Sequence, residues 1–316
     1  MNPLTFLLKI KYPIIQGGMG NISNALLTSA VSEAGGLGTI GCGTMTPEEI
    51  EEMIIDTKKR TRHPFAINIA LSVSPYVKEI LALVIKYNIP IVSLSAGNPA
   101  PLIPSLQEHN IKIMSVVATV RQALKAEAAH ADVIVAEGYE AAGINSSYES
   151  TTLTLIPQIV QRVNIPVVGA GGIGDGSGLA AALALGASGV QMGTRLIATK
   201  EAPFHEEYKN KLLEASDLDT VIIGRSVGRI RRVLETEYTK KLLSIEKRGI
   251  TLEEFNALTS EDFHLIGALQ GKGEEGFMNS GQIAGLVHDI PSVQQLLDRM
   301  MNEAHVQLNK ANELLS

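Results

Sequence analysis

The chain has 316 residues, 45% of them hydrophobic and 19% charged, which is long enough to bury a substantial core as one α/β barrel with an appendage or as two domains. Lys and Arg number 27 against 33 Asp and Glu, a formal charge of -6, and with 4% aromatics and no Trp there is no basic, stacking-rich surface for nucleic acid. No apolar run reaches membrane-spanning length, and "MNPLTFLLKIKYP" is too short an apolar stretch for a signal peptide, so the expectation is a cytoplasmic protein without a membrane partner.

Apolar, β-branched runs recur in chain order: "YPIIQGG" from Tyr12, "LGTIG" from Leu37, "FAINIAL" from Phe65, "IPIVSLS" from Ile89, "KIMSVV" from Lys112, "ADVIVAEG" from Ala131, "IPVVGAGG" from Ile165 and "GVQMGT" from Gly189. Their continuous apolarity, without alternation, is what a parallel strand covered on both faces requires. Segments of helical character lie between them, among them "TPEEIEEMIIDTKKR", where Thr46 before Pro47 makes an N-cap and first-turn pair. Eight such strands alternating with helices predict a (β/α)8 TIM barrel over an open doubly wound sheet, since six strands would suit a dinucleotide fold and eight close a barrel. After Thr194 the pattern becomes helical with no apolar strand. This predicts a helical cap over residues 199–273, inserted after strand eight, with residues 1–198 and 274–316 forming the barrel. The basic cluster "RSVGRIRR" from Arg225 reads as a solvated helix face. A long helix closes the chain from Pro291, and an apolar face on it would pair two copies into a homodimer.

The single cysteine, Cys42, excludes an internal disulfide, and with no His beside it in sequence it reads as a small buried residue. The histidines show no metal-ligand spacing, so no metal is expected; His63, His109, His130, His264 and His288 read as lying on loops or helix faces.

Gly169, Gly171 and Gly174 in "GAGGIGDGSG" have the spacing G-x-G-x-x-G. A dinucleotide fingerprint would open its domain and be followed by an acidic residue about 20 positions on. This one follows the seventh strand, and the next strand ends in "QMGTR", with no acid there. In barrels the loops after strands seven and eight commonly hold a phosphate on backbone N–H groups and a helix N-terminus, which favours a monophosphate over a glycine turn of purely structural use. Other strand ends bring Met19 between glycines, Asn68, and "SAGNP". A mouth of glycines, amides and a thioether suits a flat aromatic cofactor that brings its own chemistry.

Together "PIIQGGMG", "SEAGGLGTIG", "PFAINI", "AGNP", "VAEGYEAAG", "IPVVGAGGIGDG", "QMGTR" and "GQIAGL" resemble, in this order, the nitronate monooxygenase superfamily, formerly 2-nitropropane dioxygenases. That group includes enoyl-acyl carrier protein reductase II and NAD(P)H:quinone reductases. The resemblance implies FMN in a TIM barrel. Carried over position by position, it places Gly17, Gly18 and Met19 beside the isoalloxazine, Asn68 at a ring edge, and Glu137 and Gly138 near the mouth of strand six. Gly171, Gly172, Gly193 and Thr194 would take the phosphate, and Ser280, Gly281 and Gln282 match a loop that returns to the flavin.

The chain departs from the family at "EGYEAAGINSS", where Ile144 stands in the place of a His that serves to protonate a substrate carbon or polarise its oxygen. Asn145 and Tyr148 are the nearby candidates to replace it; His205 matches another position often held by His, within the insertion. The first functional expectation is oxidation of an alkyl nitronate by O2 through FMN, because that anion needs no dedicated base; Arg225 and Arg229 are candidates to bind it. The alternatives are NAD(P)H-dependent reduction of an enoyl thioester or a quinone, and an FMN-binding subunit without catalysis.

Overall fold

The structure, a computed structural model, describes residues 2–316. Its strands in chain order are β1 (Ile14–Gln16), β2 (Gly38–Gly41), β3 (Phe65–Ala70), β4 (Ile91–Ser95), β5 (Lys112–Val117), β6 (Val133–Glu137), β7 (Gly143–Ile144), β8 (Val167–Ala170), β9 (Gly189–Met192), β10 (Thr220–Ile223) and β11 (Arg231–Leu234). The eight apolar runs become the parallel barrel strands β1 to β6, β8 and β9, each beside its neighbour in the chain. β9 pairs with β1, Val190 opposite Ile14. The ring closes where Leu37 N–H donates to Ile14 O at 3.0 Å and Gln16 N–H to Leu37 O at 2.9 Å. The TIM barrel is therefore present.

Ile15, Leu37, Ala66, Ile91, Met114, Val133, Val135 and Val168 fill one buried cluster with Leu4 and Leu8, so the short helix Pro3–Leu8 plugs it with its two apolar side chains. The opposite strand faces pack against the helices in a larger core that runs around the molecule. Both faces of each strand are thus covered, which is why their sequences lack alternation.

The insertion contains helices Glu206–Glu214, Glu237–Arg248, Leu252–Leu258 and Glu261–Gln270, as expected, but it also holds an antiparallel sheet that the helical pattern hides. β10 pairs with β11, and β11 pairs in turn with β7 of the barrel's sixth loop, Arg231 opposite Ile144 and Arg232 opposite Gly143. "RSVGRIRR" is therefore not a helix face. Gly224 and Gly228, both at positive φ, bracket a single turn, and the following residues extend into β11, where Arg231 and Arg232 are buried. Ile223, Val233, Tyr238, Leu242, Phe255 and Phe277 form a separate core for this cap. Phe277 lies beyond residue 273 and Tyr208 and Leu212 join the barrel core, so the cap's core begins later and ends later than the helical pattern indicated.

Helix Val293–Leu315 starts on a Ser292 capping box and buries Val293, Leu296, Leu297, Met300 and Ala304; every residue after Ala304 is exposed. Among the described residues no helix is long and apolar enough to cross a membrane.

Candidate active site

A cavity of about 890 Å³ opens at the C-terminal ends of the barrel strands and is roofed in part by the cap. That face of a TIM barrel is where loops from several strands converge and where side chains can be arranged without disturbing the core. Of the residues the sequence proposed, Gly17, Gly18, Met19, Asn68, Glu137, Asn145, Tyr148, Gly171, Gly172, Gly193, Thr194 and Gly281 line it, as does Ile144. Gly138, Ser280 and Gln282 do not.

On the β1 side the wall is backbone. Gly17 N–H donates to Met192 O at 2.9 Å, tying the loop to β9. A Cβ on Gly18 would come within 2.4 Å of Asn68 Oδ1, so only glycine allows the loop to lie across this amide. Asn68 Nδ2 is fixed by Ser93 O at 3.2 Å and by the hydroxyls of Ser93 and Ser95 at 3.3 and 3.2 Å, all from β4. Met19 is partly buried at the start of a short turn whose Ser23 hydroxyl accepts its N–H at 3.3 Å.

Glu137 ends β6 on the cavity wall, and burial pushes its carboxyl up to about 7. Gly138 turns away: its N–H donates to Ala170 O at 2.9 Å, and a Cβ there would meet Thr152. The loop beyond is held by Asn145, whose Nδ2 donates to Ala141 O at 2.8 Å, so its amide is already committed to the turn. Tyr148 is 64% exposed at the rim and Ile144 50% exposed beside it. The β6 loop thus presents no His, and its two candidate replacements serve as a turn lock and a rim residue.

The loops after β8 and β9 meet on the far wall. Gly171 and Gly172 sit at φ +90 and +69, and no backbone group among the described residues accepts the N–H of Gly171, Gly172, Gly193 or Thr194. A Cβ on Gly193 would have nothing within 4 Å. The nearest acidic side chain, Glu140, runs its carbon chain along Gly172, yet its carboxylate is drawn back onto Thr152 N–H and hydroxyl at 2.9–3.0 Å. Thr194 Oγ1 accepts Gly281 N–H at 2.9 Å, which brings the returning loop onto the cradle. Ser280 is buried beneath that loop and the Gln282 side chain faces out, its N–H on Glu140 O at 3.0 Å. The expected helix N-terminus is closed: Asp175 caps helix Gly176–Ala184 through Gly178 N–H at 2.8 Å, and Glu303 takes Gly176 N–H at 3.1 Å. A phosphate here would rest on the amides of Gly171 and Gly172 and on those of Gly193 and Thr194, which start the short helix Thr194–Ile197.

The cap contributes residues that the sequence did not single out for the site. Arg231, Glu261, His264 and Asn279 all line the cavity, together with Tyr208. Arg231, 8% exposed, lies 3.6 Å from Glu261 and 4.7 Å above the Phe277 ring. His264, 2% exposed, stacks on Phe277 at 5.3 Å and places Nδ1 3.5 Å from Glu261. Burial raises the Glu261 carboxyl pKa, but His264 and Arg231 together hold it below the ordinary value. His264 is thus on a helix face, as its sequence context indicated, but on the face that forms a buried wall of the cavity. The available signals were the Glu-x-x-His spacing on one helix and the strand-forming residues around Arg231. Conversely, Arg225 is turned onto Glu149 and Tyr139, neither Arg225 nor Arg229 reaches the cavity, and His205 caps an exposed helix start. Cys42 is fully buried and its thiol is pushed up to about 12 by desolvation.

A family model described as "Nitronate monooxygenase" matches residues 1–80 and 70–303. A protein described as "Probable nitronate monooxygenase" from Staphylococcus saprophyticus is 31% identical, with 97% of this chain and 98% of that protein covered. A (3aS,4S,5R,7aS)-5-hydroxy-7a-methyl-1-oxo-octahydro-1H-indene-4-carboxyl-CoA dehydrogenase from Mycobacterium tuberculosis is also 31% identical, over 99% and 98%. The solved structure of FabK from Thermotoga maritima superposes with a TM-score of 0.93 at 38% identity, covering 99% of both chains. Barrel, loops and cap are matched together, so the chain is an oxidoreductase that belongs to the nitronate monooxygenase family.

Proposed function

We propose that this protein binds FMN and oxidises alkyl nitronates, with O2 as the final electron acceptor. The observation that carries the reading is the cluster of unpartnered amides at Gly171, Gly172, Gly193 and Thr194, open to one cavity where two loops meet. Amides without side chains in front of them are suited to donate to a phosphate. The glycine wall with Met19 and the fixed Asn68 amide offers a flat face and one polar edge to the ring system. When bound, FMN supplies the redox chemistry, taking electrons from the substrate and passing them to O2. This chain's residues do the rest: the cradle anchors, Gly18 and Asn68 set the plane, and the cap limits water above it.

A nitronate suits the site because it arrives as an anion with an electron-rich carbon. Ile144 leaves the β6 loop without the His of the family, and this reaction is the one least affected. The expected result is that anaerobic mixing with propyl-2-nitronate bleaches the bound flavin; an unchanged oxidised spectrum would refute the substrate assignment.

A second reading is NAD(P)H-dependent reduction of an enoyl thioester or a quinone. It is favoured by the 38% identity to FabK and by the CoA thioester in the name of the mycobacterial relative. Consumption of NADH or NADPH that depends on crotonyl thioester or benzoquinone selects it.

A further inference from the structure

We propose that Arg231 forms an oxyanion subsite on the cap side of the cavity, which takes an oxygen of the nitronate. The proposal rests on the nitronate reading above and deepens it.

Two buried polar atoms on the cavity's cap side lack partners: Arg231 Nη1 and Asn279 Oδ1. A guanidinium removed from water needs its N–H groups satisfied. Here it has only a long contact to Glu261 and the face of Phe277, and desolvation lowers its pKa accordingly. A ligand oxygen is what the geometry lacks. Position points the same way, since Arg231 is the cross-strand partner of Ile144. The polarising group missing from the β6 loop is thereby supplied from the strand opposite.

The neighbours of Arg231 are held in place: Asn279 Nδ2 lies 3.2 Å from His264 Nε2, and the Tyr208 hydroxyl donates to Asn279 O.

The test uses isobutyrate, an unreactive carboxylate with the heavy-atom skeleton of propyl-2-nitronate, titrated calorimetrically into the flavin-loaded full chain. Wild type is expected to bind it. Arg231→Met should weaken binding by about tenfold or more, as for loss of a charged hydrogen bond. Arg231→Lys, keeping the charge, covers the case in which Arg231→Met does not fold, and should retain part of the affinity. No isobutyrate binding to wild type, or affinity equal to wild type in the Arg231 variants that fold, overturns the subsite. Arg231-dependent binding in a protein whose flavin nitronate does not reduce supports the subsite and removes only the nitronate assignment.

Discussion

Replacing Glu137 by Gln should stabilise the flavin-free protein at alkaline pH and leave it nearly unchanged in acid. The carboxyl sits at the end of β6 with no hydrogen-bond partner among the described residues, and burial raises it from 4.5 to about 7. At roughly 1.4 kcal/mol for each tenfold in proton affinity, that rise is worth at most about 3.5 kcal/mol; water in the cavity reduces it to on the order of 2 kcal/mol. Below about pH 4.5 the carboxyl is protonated in both folded and unfolded chains and contributes no difference. Between 4.5 and 7 the folded state holds the proton more tightly, so stability falls as pH rises, and above 7 the whole cost of a buried carboxylate is present. Gln keeps the shape and carries no charge. Urea unfolding of both proteins near pH 4.5 and near pH 8 should show the variant gaining about 2 kcal/mol only at the higher pH. An equal difference at both values would refute the argument, and so would a variant less stable than wild type at pH 8.

Gly18→Ala should force Asn68 off its three hydrogen bonds, because the new methyl would lie 2.4 Å from Oδ1; retention of flavin, read by fluorescence, should fall about tenfold or more. Gly193→Asp should abolish flavin retention by placing a carboxylate among the amides proposed to hold the phosphate, while Gly193→Ala, whose methyl meets nothing within 4 Å, should fold normally; equal retention in the two would count against the cradle. Ile144→His should leave the melting transition within about 0.5 kcal/mol of wild type, since the side chain is half exposed. It should raise NAD(P)H consumption with crotonyl thioester by restoring a proton donor, and an unchanged rate would show that the β6 loop does not reach the substrate.

The barrel was legible from the sequence because its determinants are local. A run such as "ADVIVAEG" declares a strand covered on both faces, and eight of them with helices between leave little choice of ring. The amides at Gly171, Gly172, Gly193 and Thr194 were legible for a related reason: glycine at a strand end in a known place in the ring predicts an open backbone. The cap was not. "RSVGRIRR" extends into β11 because it finds two partners, β10 on one side and the short β7 from the barrel loop on the other, and neither pairing is encoded within the segment. His264 and Asn279 were obscure for the same reason. On its own helix His264 is one residue in a mixed sequence; only when Phe277 stacks beneath it and the charged Arg231 and Glu261 are packed alongside does it become part of a buried wall of the cavity. Sequence alone determined the ring and the open glycine backbone at two of its strand ends, since both depend on residues adjacent in the chain. Tertiary structure decided which charges face the cavity, because desolvation and pairing act on groups that only folding brings together.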